Sequence, residues 1–385
     1  MTTPAASIPV SIDDPVNVAV LAVSEDQLRG FQRDPLGEIA RRCGLPLPLV
    51  IERVRAMLSA GTIRRVRQTL LANKLAEGAL VAWVVPLERL QSAFDYCFEQ
   101  DPFSGHVVIR TTDHETAGSP FRLWTTLKVP QGYSLERHCE HLAMRIGAPA
   151  FRAMPAKALF SLGVGHVRRR GMAPGSRDDE PADVIATQPL ELSELEWRVI
   201  TALKREFAPD EIVRELWHGR AVEAGVTLDE FVAIAQGLER RGIMGRFSTF
   251  LEHVKPVAGG ERVTRYNALF HWAVPAGREI EAGREVGRHH IMTHAYWREG
   301  GAEFANVNIM GVAHSGTDKA FLLEHKAAID AHLAEAGIAA SYTNVFWGGR
   351  SEIKPSEISP VLYQRWCEQQ GFDADAMREP SSREG

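Results

Sequence analysis

The sequence predicts an α+β protein in which one unit occurs twice, a winged helix-turn-helix followed by a ferredoxin-like domain of order β-α-β-β-α-β. Three landmarks recur in the same order along the chain. The first is a helix that ends at glycine before a β-rich arm, at Gly61 and again at Gly242. The second is the pattern His-x-x-x-Arg at 106–110 and 294–298, and the third is a short phenylalanine segment at Phe160 and Phe346. Because the offsets of 181, 188 and 186 residues are nearly equal, they indicate a tandem duplication.

The length of 385 residues exceeds that of an ordinary single domain, so several domains are expected. A charged stretch rich in turn-forming residues predicts a linker between the repeats, and the C-terminal end has the same character. The predicted domains are a winged helix-turn-helix at 1–72, a ferredoxin-like domain at 73–165, a linker at 166–189, a second winged helix-turn-helix at 190–255, a second ferredoxin-like domain at 256–360, and a C-terminal helix and mobile tail at 361–385.

The helix-turn-helix of the first repeat is predicted from two short apolar stripes. Leu36–Gly44 is an amphipathic helix stopped by glycine, and Leu49–Leu58 is a second one with apolar residues on one face. Thr62–Leu71 alternates apolar and basic residues, which predicts the wing. In the second repeat, Ile212–Arg241 carries an insertion at Trp217–Val226 that a tight DNA-reading turn does not need.

The ferredoxin-like domains follow from alternating strand and helix patterns. In the first, strands are predicted near 79–86, 106–112, 121–129 and 158–162, with helices at 87–100 and 135–146. In the second, the corresponding strands are 266–274, 291–298, 304–313 and 340–346, with helices at 276–286 and 319–336. We expect the two domains to pack through their sheets as a pseudo-dimer within one chain.

Composition excludes several classes of protein. Hydrophobic residues make up 45% and charged residues 24% of the chain, as in an ordinary globular protein, and a net charge of −5 gives no global basic field for nucleic acid. The four cysteines are scattered without a Cys-x-x-Cys pair, so a disulfide framework and a thiolate zinc site are not indicated. With neither a signal sequence nor a membrane-length apolar run, we expect a cytoplasmic protein without membrane contact.

A polar pattern marks two neighbouring strands of the second ferredoxin-like domain. His294, Tyr296 and Arg298 occupy alternate positions on one strand, and Asn308 and His314 lie six residues apart on the next. Residues at alternate positions of a strand point to one face, so each set is expected to project together. Alone, such a pattern is often only a surface or interface feature; the duplication and the second strand favour a functional site.

A winged helix followed by this α/β domain resembles the Lrp/AsnC family, once per half and over essentially the whole chain. Within that family the second half, with Thr-His-Ala-Tyr-Trp-Arg at 293–298 and Asn-Ile-Met-Gly-Val-Ala-His-Ser at 308–315, is similar to the siroheme decarboxylases. Their repeats carry a Ser-His-x-Tyr-x-Arg strand and then an Asn-Leu-x-x-Met-x-His-Gly strand. The Leu-Phe-x-Leu-Gly segment at 159–163 also looks like that branch.

The resemblance implies an activity. Siroheme decarboxylases remove carboxyl groups from the two acetate side chains of siroheme, giving didecarboxysiroheme, in haem or related tetrapyrrole biosynthesis. They use no added cofactor, because the iron belongs to the tetrapyrrole substrate. They often work as paired or fused subunits, so a homo-oligomer or a related decarboxylase subunit is the partner that the resemblance implies.

Residue roles follow where this chain matches the family or offers suitable chemistry. His294, His314 and Tyr296 are expected to be catalytic, and His294 or His314 is the candidate axial ligand of the substrate iron. Guanidinium groups suit the carboxylates of a tetrapyrrole rim, and aromatic and sulfur-containing side chains suit its faces. The expected substrate-binding residues are Arg298, Asn308, Trp297, Met310, His106, Arg110, Arg122 and Lys128.

The first half departs from the family pattern. Arg122 stands where the asparagine belongs, and Lys128 stands where the histidine belongs. Together with Arg110 they form a basic set that suits carboxylate binding better than acid catalysis. The first-half site is therefore expected to be altered or inactive. In the second half Ile309, Met310 and Gly311 replace larger residues, which leaves the identity of the tetrapyrrole open.

Two other functions remain open from the sequence. One is a fused Lrp/AsnC-type transcription regulator that senses a small ligand, and the other is a haem or tetrapyrrole sensor without catalysis. DNA binding is disfavoured because the first candidate recognition helix is mostly apolar and the second begins with Asp229 and Glu230, whose charge repels phosphate. A sensor needs the same pocket as an enzyme, so the sequence does not separate these two.

Overall fold

The computed structural model describes residues 8–71, 75–162, 172–185, 190–252 and 264–378. The chain divides into two compact units. The helical unit comprises 1–71, 163–171 and 192–265, and the sheet unit comprises 72–162, 172–191 and 266–385. Parts of the predicted linker and of the predicted tail lie outside the described residues.

Twelve strands and eleven α-helices lie within the described residues. The strands are β1 (Leu28–Arg29), β2 (Ile63–Leu70), β3 (Ala76–Val84), β4 (Ser104–Thr111), β5 (Phe121–Pro130), β6 (Ala150–Pro155), β7 (Ala158–Leu162), β8 (Met244–Leu251), β9 (Tyr266–Ala273), β10 (Met292–Trp297), β11 (Ile309–Ser315) and β12 (Tyr342–Ile353). The helices are α1 (Pro15–Ser24), α2 (Pro35–Cys43), α3 (Leu47–Ser59), α4 (Leu90–Glu99), α5 (Leu135–Ile146), α6 (Glu194–Lys204), α7 (His218–Ala224), α8 (Leu228–Arg240), α9 (Glu279–Gly287), α10 (Lys319–Glu335) and α11 (Pro360–Gln370). The α+β class predicted from the sequence is confirmed.

The helical unit contains a three-stranded sheet of order β1-β8-β2. The arm of the first repeat, β2, pairs with β8 of the second repeat, for example Val66 with Thr249. Glycine follows the helices of this unit where the sequence predicts, since Gly44 after α2, Gly61 after α3 and Gly242 after α8 adopt left-handed conformations with φ of 67°, 76° and 70°. Arg65 of the arm is buried and forms an ion pair with Glu206 at 3.1 Å. The two repeats therefore share one small sheet.

The sheet unit contains a nine-stranded antiparallel sheet of order β6-β3-β5-β4-β12-β9-β11-β10-β7. Each half follows the sequence strand, helix, strand, strand, helix, strand, from β3 to β6 and again from β9 to β12. In both halves the strand order in space is fourth, first, third, second. The duplication seen in the sequence is therefore also present in the strand order.

The fourth strand of each half continues onto the other half. Residues 342–348 of β12 pair with β9, and residues 347–353 pair with β4. In the first half β6 pairs with β3, and β7, which begins only three positions after β6 ends, pairs with β10. The sequence predicted 158–162 as the last strand of the first half but missed β6 before it. These crossovers join the two halves through backbone hydrogen bonds.

Three buried clusters hold the sheet unit together. One packs α4, α5 and α11 on the first half, and a second packs α9 and α10 on the second half. The third cluster, called the inter-sheet core below, lies where the two halves of the nine-stranded sheet face each other. It contains residues of both halves, among them Trp124 and Met154 from the first and Met310 and Phe346 from the second. This inter-sheet core confirms that the halves pack through their sheets, and its face also carries the predicted site.

Candidate functional site

The predicted site lies on the inner face of the second half. On β10, Ala295 and Trp297 pack on the side of the helices, so the alternate residues His294 and Tyr296 face the inter-sheet side. Arg298 continues this alternation just after the strand, where its backbone N–H donates to the carbonyl of Asn308 at 3.0 Å. The expectation that these side chains share one face is supported by this register.

The side chains on β10 are stacked in a column. The rings of His294 and Tyr296 lie 6.0 Å apart between centroids at an interplanar angle of 10°. The guanidinium of Arg298 lies over the Tyr296 ring, 4.6 Å from its centroid. Burial raises the pKa of the Tyr296 phenol, and the neighbouring Arg298 opposes this rise. Tyr296 is therefore neutral at physiological pH, as a stacking and hydrogen-bonding group would be.

Thr293 joins the histidines of the two strands. A register shift between Met292 and His294 turns its hydroxyl toward β11, where it donates to the carbonyl of Val312 at 2.9 Å. The same oxygen lies 3.2 Å from Nδ1 of His294 and 3.4 Å from Nδ1 of His314. Because the hydroxyl proton of Thr293 is donated to the carbonyl of Val312, the hydroxyl oxygen can only accept from the imidazoles. His294 and His314 are therefore arranged to donate to it through Nδ1.

His314 is linked through Asn267 to an arginine of the first half. Nε2 of His314 lies 3.0 Å from Nδ2 of Asn267 on the neighbouring strand β9. The other amide atom, Oδ1, accepts a hydrogen bond of 3.0 Å from the guanidinium of Arg110 on β4. A continuous series of contacts thus runs from Arg298 to Arg110 through two histidines.

The arginines at the two ends of this series are buried, and neither forms an ion pair with an acidic side chain of the described residues. Arg110 is 3% exposed and Arg298 is 8% exposed. Arg110 also donates to the carbonyl of Phe346 on β12, and Arg298 donates to the carbonyl of Met154 on β6. Each arginine therefore contacts the fourth strand of the other half. In both, Nε has no hydrogen-bond partner within the described part of the chain.

Burial changes the energetics of these two guanidinium groups. It lowers the pKa of Arg110 to about 9 and that of Arg298 to about 10, so both remain cations at neutral pH. Removing a charge from water without a counter-ion costs several kcal/mol, which is on the order of the whole free energy of unfolding of a domain. An anion that pairs with these groups would therefore bind favourably.

Three other predicted residues of the second half have structural contacts. The side chain of Asn308, just before β11, accepts from the backbone N–H of Val274 at 2.8 Å and donates to its carbonyl at 3.0 Å. Met310 is fully buried in the inter-sheet core. Trp297 is half-buried beside Lys157, whose ammonium lies 5.1 Å from the ring centroid, and its indole Nε1 has no hydrogen-bond partner among the described residues.

The first half has a different set of side chains at the corresponding positions. Nε2 of His106 on β4 lies 2.8 Å from the hydroxyl of Ser351 on β12. Arg122 on β5 donates through Nε to the carbonyl of Arg110 at 3.1 Å. Lys128 is half-buried and pairs across the ladder with Gly78. The first half therefore has Lys128 in place of His314 and Arg122 in place of Asn308.

Sequence reasoning missed Asn267 and Thr293. Thr293 directly precedes His294, and a β-bulge, which no periodicity in the sequence marks, turns it toward His314. Asn267 is placed opposite His314 only by the register of β9 on β11. Two strands more than forty residues apart must be aligned before this pair can be recognised.

His271 is a further buried group next to the site. It is 1% exposed in the inter-sheet core, with its ring 5.0 Å from that of Phe346. Burial and the nearby Arg110 lower its pKa to about 3. It is therefore a neutral core residue at physiological pH.

Neither a metal site nor a membrane span is found in the described residues. These residues contain no group of three or more His, Cys, Asp or Glu side chains that could hold a metal ion. No helix among them is long and apolar enough to cross a bilayer.

Comparison with solved structures finds the same fold. The crystal structure of the siroheme decarboxylase NirDL matches with a TM-score of 0.62 and 18% sequence identity, over 91% of this chain and 97% of that chain. The crystal structure of NirDL in co-complex with an iron-uroporphyrin III analogue matches with a TM-score of 0.62 and 18% identity, over 92% and 98%. No protein-family model and no curated protein matches the chain. The chain shares the fold of a siroheme decarboxylase along almost its whole length.

Proposed function

We propose that this protein is a siroheme decarboxylase-like enzyme that removes carboxyl groups from acetate side chains of siroheme. The observation that carries the proposal is a pair of buried arginines, Arg110 and Arg298, at the ends of a histidine-containing face; neither has an acidic partner in the part of the chain that the structure describes. A tetrapyrrole rich in carboxylates supplies the missing negative charge. The shared fold with a decarboxylase, one structure of which holds an iron-uroporphyrin III analogue, supports the same assignment.

The finer architecture belongs to this proposal. We infer that each repeat is a winged helix-turn-helix followed by a ferredoxin-like domain of the Lrp/AsnC type, in the siroheme decarboxylase branch. The strand order of fourth, first, third, second in each half of the sheet unit supports the ferredoxin-like part. In the helical unit, paired short helices before β2 and β8 support the winged-helix part.

Substrate binding is assigned to charge and to stacking. Arg298 and Arg110 would hold carboxylates through bonds that include Nε, which suits the paired oxygens of a carboxylate. Trp297 and Tyr296 offer partly buried ring faces to a flat macrocycle. Asn308 supports the site by fixing the entry to β11, since both polar atoms of its side chain bond to Val274.

Decarboxylation requires a leaving group and a proton. The bond between the acetate methylene and its carboxylate breaks, carbon dioxide leaves, and the electron pair stays on the methylene carbon conjugated with the macrocycle. A proton from an imidazolium then converts that carbon to a methyl group, and solvent returns the proton to the imidazole. We assign this proton to His294, since histidine is a suitable acid near neutral pH and this ring is only partly buried beside Tyr296.

His314 is assigned a supporting role. Both of its ring nitrogens lie within hydrogen-bond distance of protein groups, Nε2 at Asn267 and Nδ1 at Thr293. An axial bond from His314 to the substrate iron would require Asn267 to release Nε2. An axial bond from His294 would instead remove that ring from proton delivery. The spectrum of bound siroheme in variants of each histidine separates these assignments.

The test is anaerobic incubation of the purified protein with siroheme, with binding followed by absorbance and products by mass spectrometry. We expect stepwise loss of two carbon dioxide units, and a large loss of rate in His294→Ala and His314→Ala. A matched control is His290→Ala, whose ring bonds Ser176 and Asp178 away from the two strands of the site. Binding without loss of mass would leave a tetrapyrrole sensor, and absence of binding would contradict the proposal.

A further inference from the structure

Asn267 occupies a position between the two halves of the sheet unit. Its amide lies on β9, with Oδ1 at 3.0 Å from an Nη atom of Arg110 and Nδ2 at 3.0 Å from Nε2 of His314. Arg110 belongs to the first half and His314 to the second. This one side chain therefore connects a buried cation to the imidazole of His314, which has the supporting role in the proposed function.

The partners fix which way the amide points. A guanidinium only donates hydrogen bonds, so the atom that faces Arg110 must be the carbonyl oxygen of the amide. The amino group of Asn267 must then face His314 and donate to it. Consequently Nε2 of His314 accepts, and the proton of the neutral ring lies on Nδ1, toward the hydroxyl of Thr293.

The neighbouring strand leaves room for this arrangement. Gly348 on β12 lies directly opposite Asn267, and a Cβ atom added there would come within 3.1 Å of the Asn267 Cβ and 3.2 Å of its Oδ1. Because Gly348 does not have a positive φ, its backbone conformation does not require glycine. The lack of a side chain at this position keeps the Asn267 amide in place.

We propose that Asn267 is a positioning residue that holds His314 as the neutral imidazole protonated on Nδ1 and links it to Arg110. The inference rests on the proposed function for its catalytic meaning, but the tautomer itself is a property of the free protein. In the first half the corresponding pair is Gly78 and Lys128, which has no amide and no imidazole. The link to a buried arginine thus occurs at one of the two related positions.

The experiment is nitrogen-15 NMR of the side chains in histidine-labelled protein, with the signals of His314 assigned by their loss in His314→Gln. In the unchanged protein we expect a pyrrole-type shift at Nδ1 and a pyridine-type shift at Nε2. Asn267→Asp places an acceptor at both ends, so Nε2 of His314 must then carry a proton. We expect the two shifts to exchange and the ring to stay cationic to a higher pH, by about one pH unit.

Three further variants keep the test independent of folding. Asn267→Leu removes both hydrogen bonds and is expected to give a mixture of His314 tautomers. Gly348→Ala leaves Asn267 itself unchanged and is expected to move the His314 shifts toward the same mixture, to a smaller extent. Asn306→Asp adds a carboxylate at an exposed position and should leave the His314 signals unchanged. A pyrrole-type Nε2 in the unchanged protein, or identical shifts in Asn267→Asp, would overturn the proposal.

Activity provides a separate readout. If the proposed function holds, Asn267→Leu lowers kcat for siroheme about tenfold with little change in KM, as loss of a contact that orients a histidine of the site does. Asn267→Asp moves the pH profile of kcat toward higher pH. An inactive unchanged protein with the predicted NMR shifts would contradict the decarboxylase assignment and leave the positioning role of Asn267 intact.

Discussion

The two halves of the sheet unit have the same strand order but different chemistry. Arg110 and Arg298 are both buried, and His106 corresponds to His294, whereas the positions on the neighbouring strands differ. The second half has His314 opposite Asn267, and the first half has Lys128 opposite Gly78. The duplication has kept the scaffold and the groups suited to anions in both halves, while groups that can transfer a proton are concentrated in the second.

The largest expected effect tests that concentration directly. His294→Ala should lower kcat with siroheme by about 100-fold or more, since a positioned acid contributes about that much or more. His106→Ala, the related change in the first half, should lower it less than about tenfold. Single-turnover kinetics of the two variants side by side measure the difference. Equal losses would mean that both halves carry out the reaction.

Binding of the anionic substrate should depend on the two buried arginines. Arg298→Met and Arg110→Met remove the charge and keep an unbranched apolar stem, and each should weaken siroheme binding about 10- to 100-fold, as expected for a charge-assisted hydrogen bond. Each change removes a buried cation but also leaves the carbonyl of Phe346 or of Met154 without its donor, so Tm should change little because these two effects oppose each other. Absorbance titration and thermal unfolding measure both quantities. A fall in Tm with unchanged affinity would show that the arginines only support the fold.

Asn308 separates support of the fold from contact with substrate. Asn308→Ala leaves the buried backbone N–H and carbonyl of Val274 without their partners, so it should lower the free energy of unfolding by about 2 kcal/mol. The Kd for siroheme should stay within about twofold in protein that remains folded. Denaturant unfolding and titration of the same sample test this. A loss of affinity without loss of stability would return Asn308 to the substrate-binding set.

A further expected effect concerns the acid side of the stability profile. The pKa of His271 in the folded state is about 3, below the ordinary value of 6.5, so the unfolded state binds one more proton between these values. Stability from this residue is present above about pH 6.5 and falls as the pH decreases toward 3. His271→Phe should therefore flatten the profile by about 1.4 kcal/mol per pH unit in that range. An unchanged slope in urea unfolding between pH 6 and 4 would contradict this.

The sequence predicted much of the geometry of the candidate site because residues of that site lie on single strands. The alternation of His294, Tyr296 and Arg298 needs only a period of two, and the structure shows these side chains as one column. The departure of Arg122 and Lys128 from the family pattern is also visible in the sequence. Local periodicity is sufficient for residues of this kind.

What the sequence did not predict depends on pairing between distant strands. Asn267 meets His314 and Arg110 only after β9, β11 and β4 have taken their places in the sheet. β6 was missed because it is six residues long and ends in Pro155, a weak strand signal that its pairing with β3 overrides. Tertiary register therefore decided both features.

The most direct test of the central claim is a crystal structure of the complex with an unreactive iron porphyrin that carries acetate and propionate groups. The account predicts carboxylate oxygens within hydrogen-bond distance of Nε of Arg298 and of Arg110, with the macrocycle against Tyr296 and beside His294. A porphyrin bound elsewhere, with both Nε atoms still without a partner, would contradict the claim that these buried arginines exist to hold the substrate.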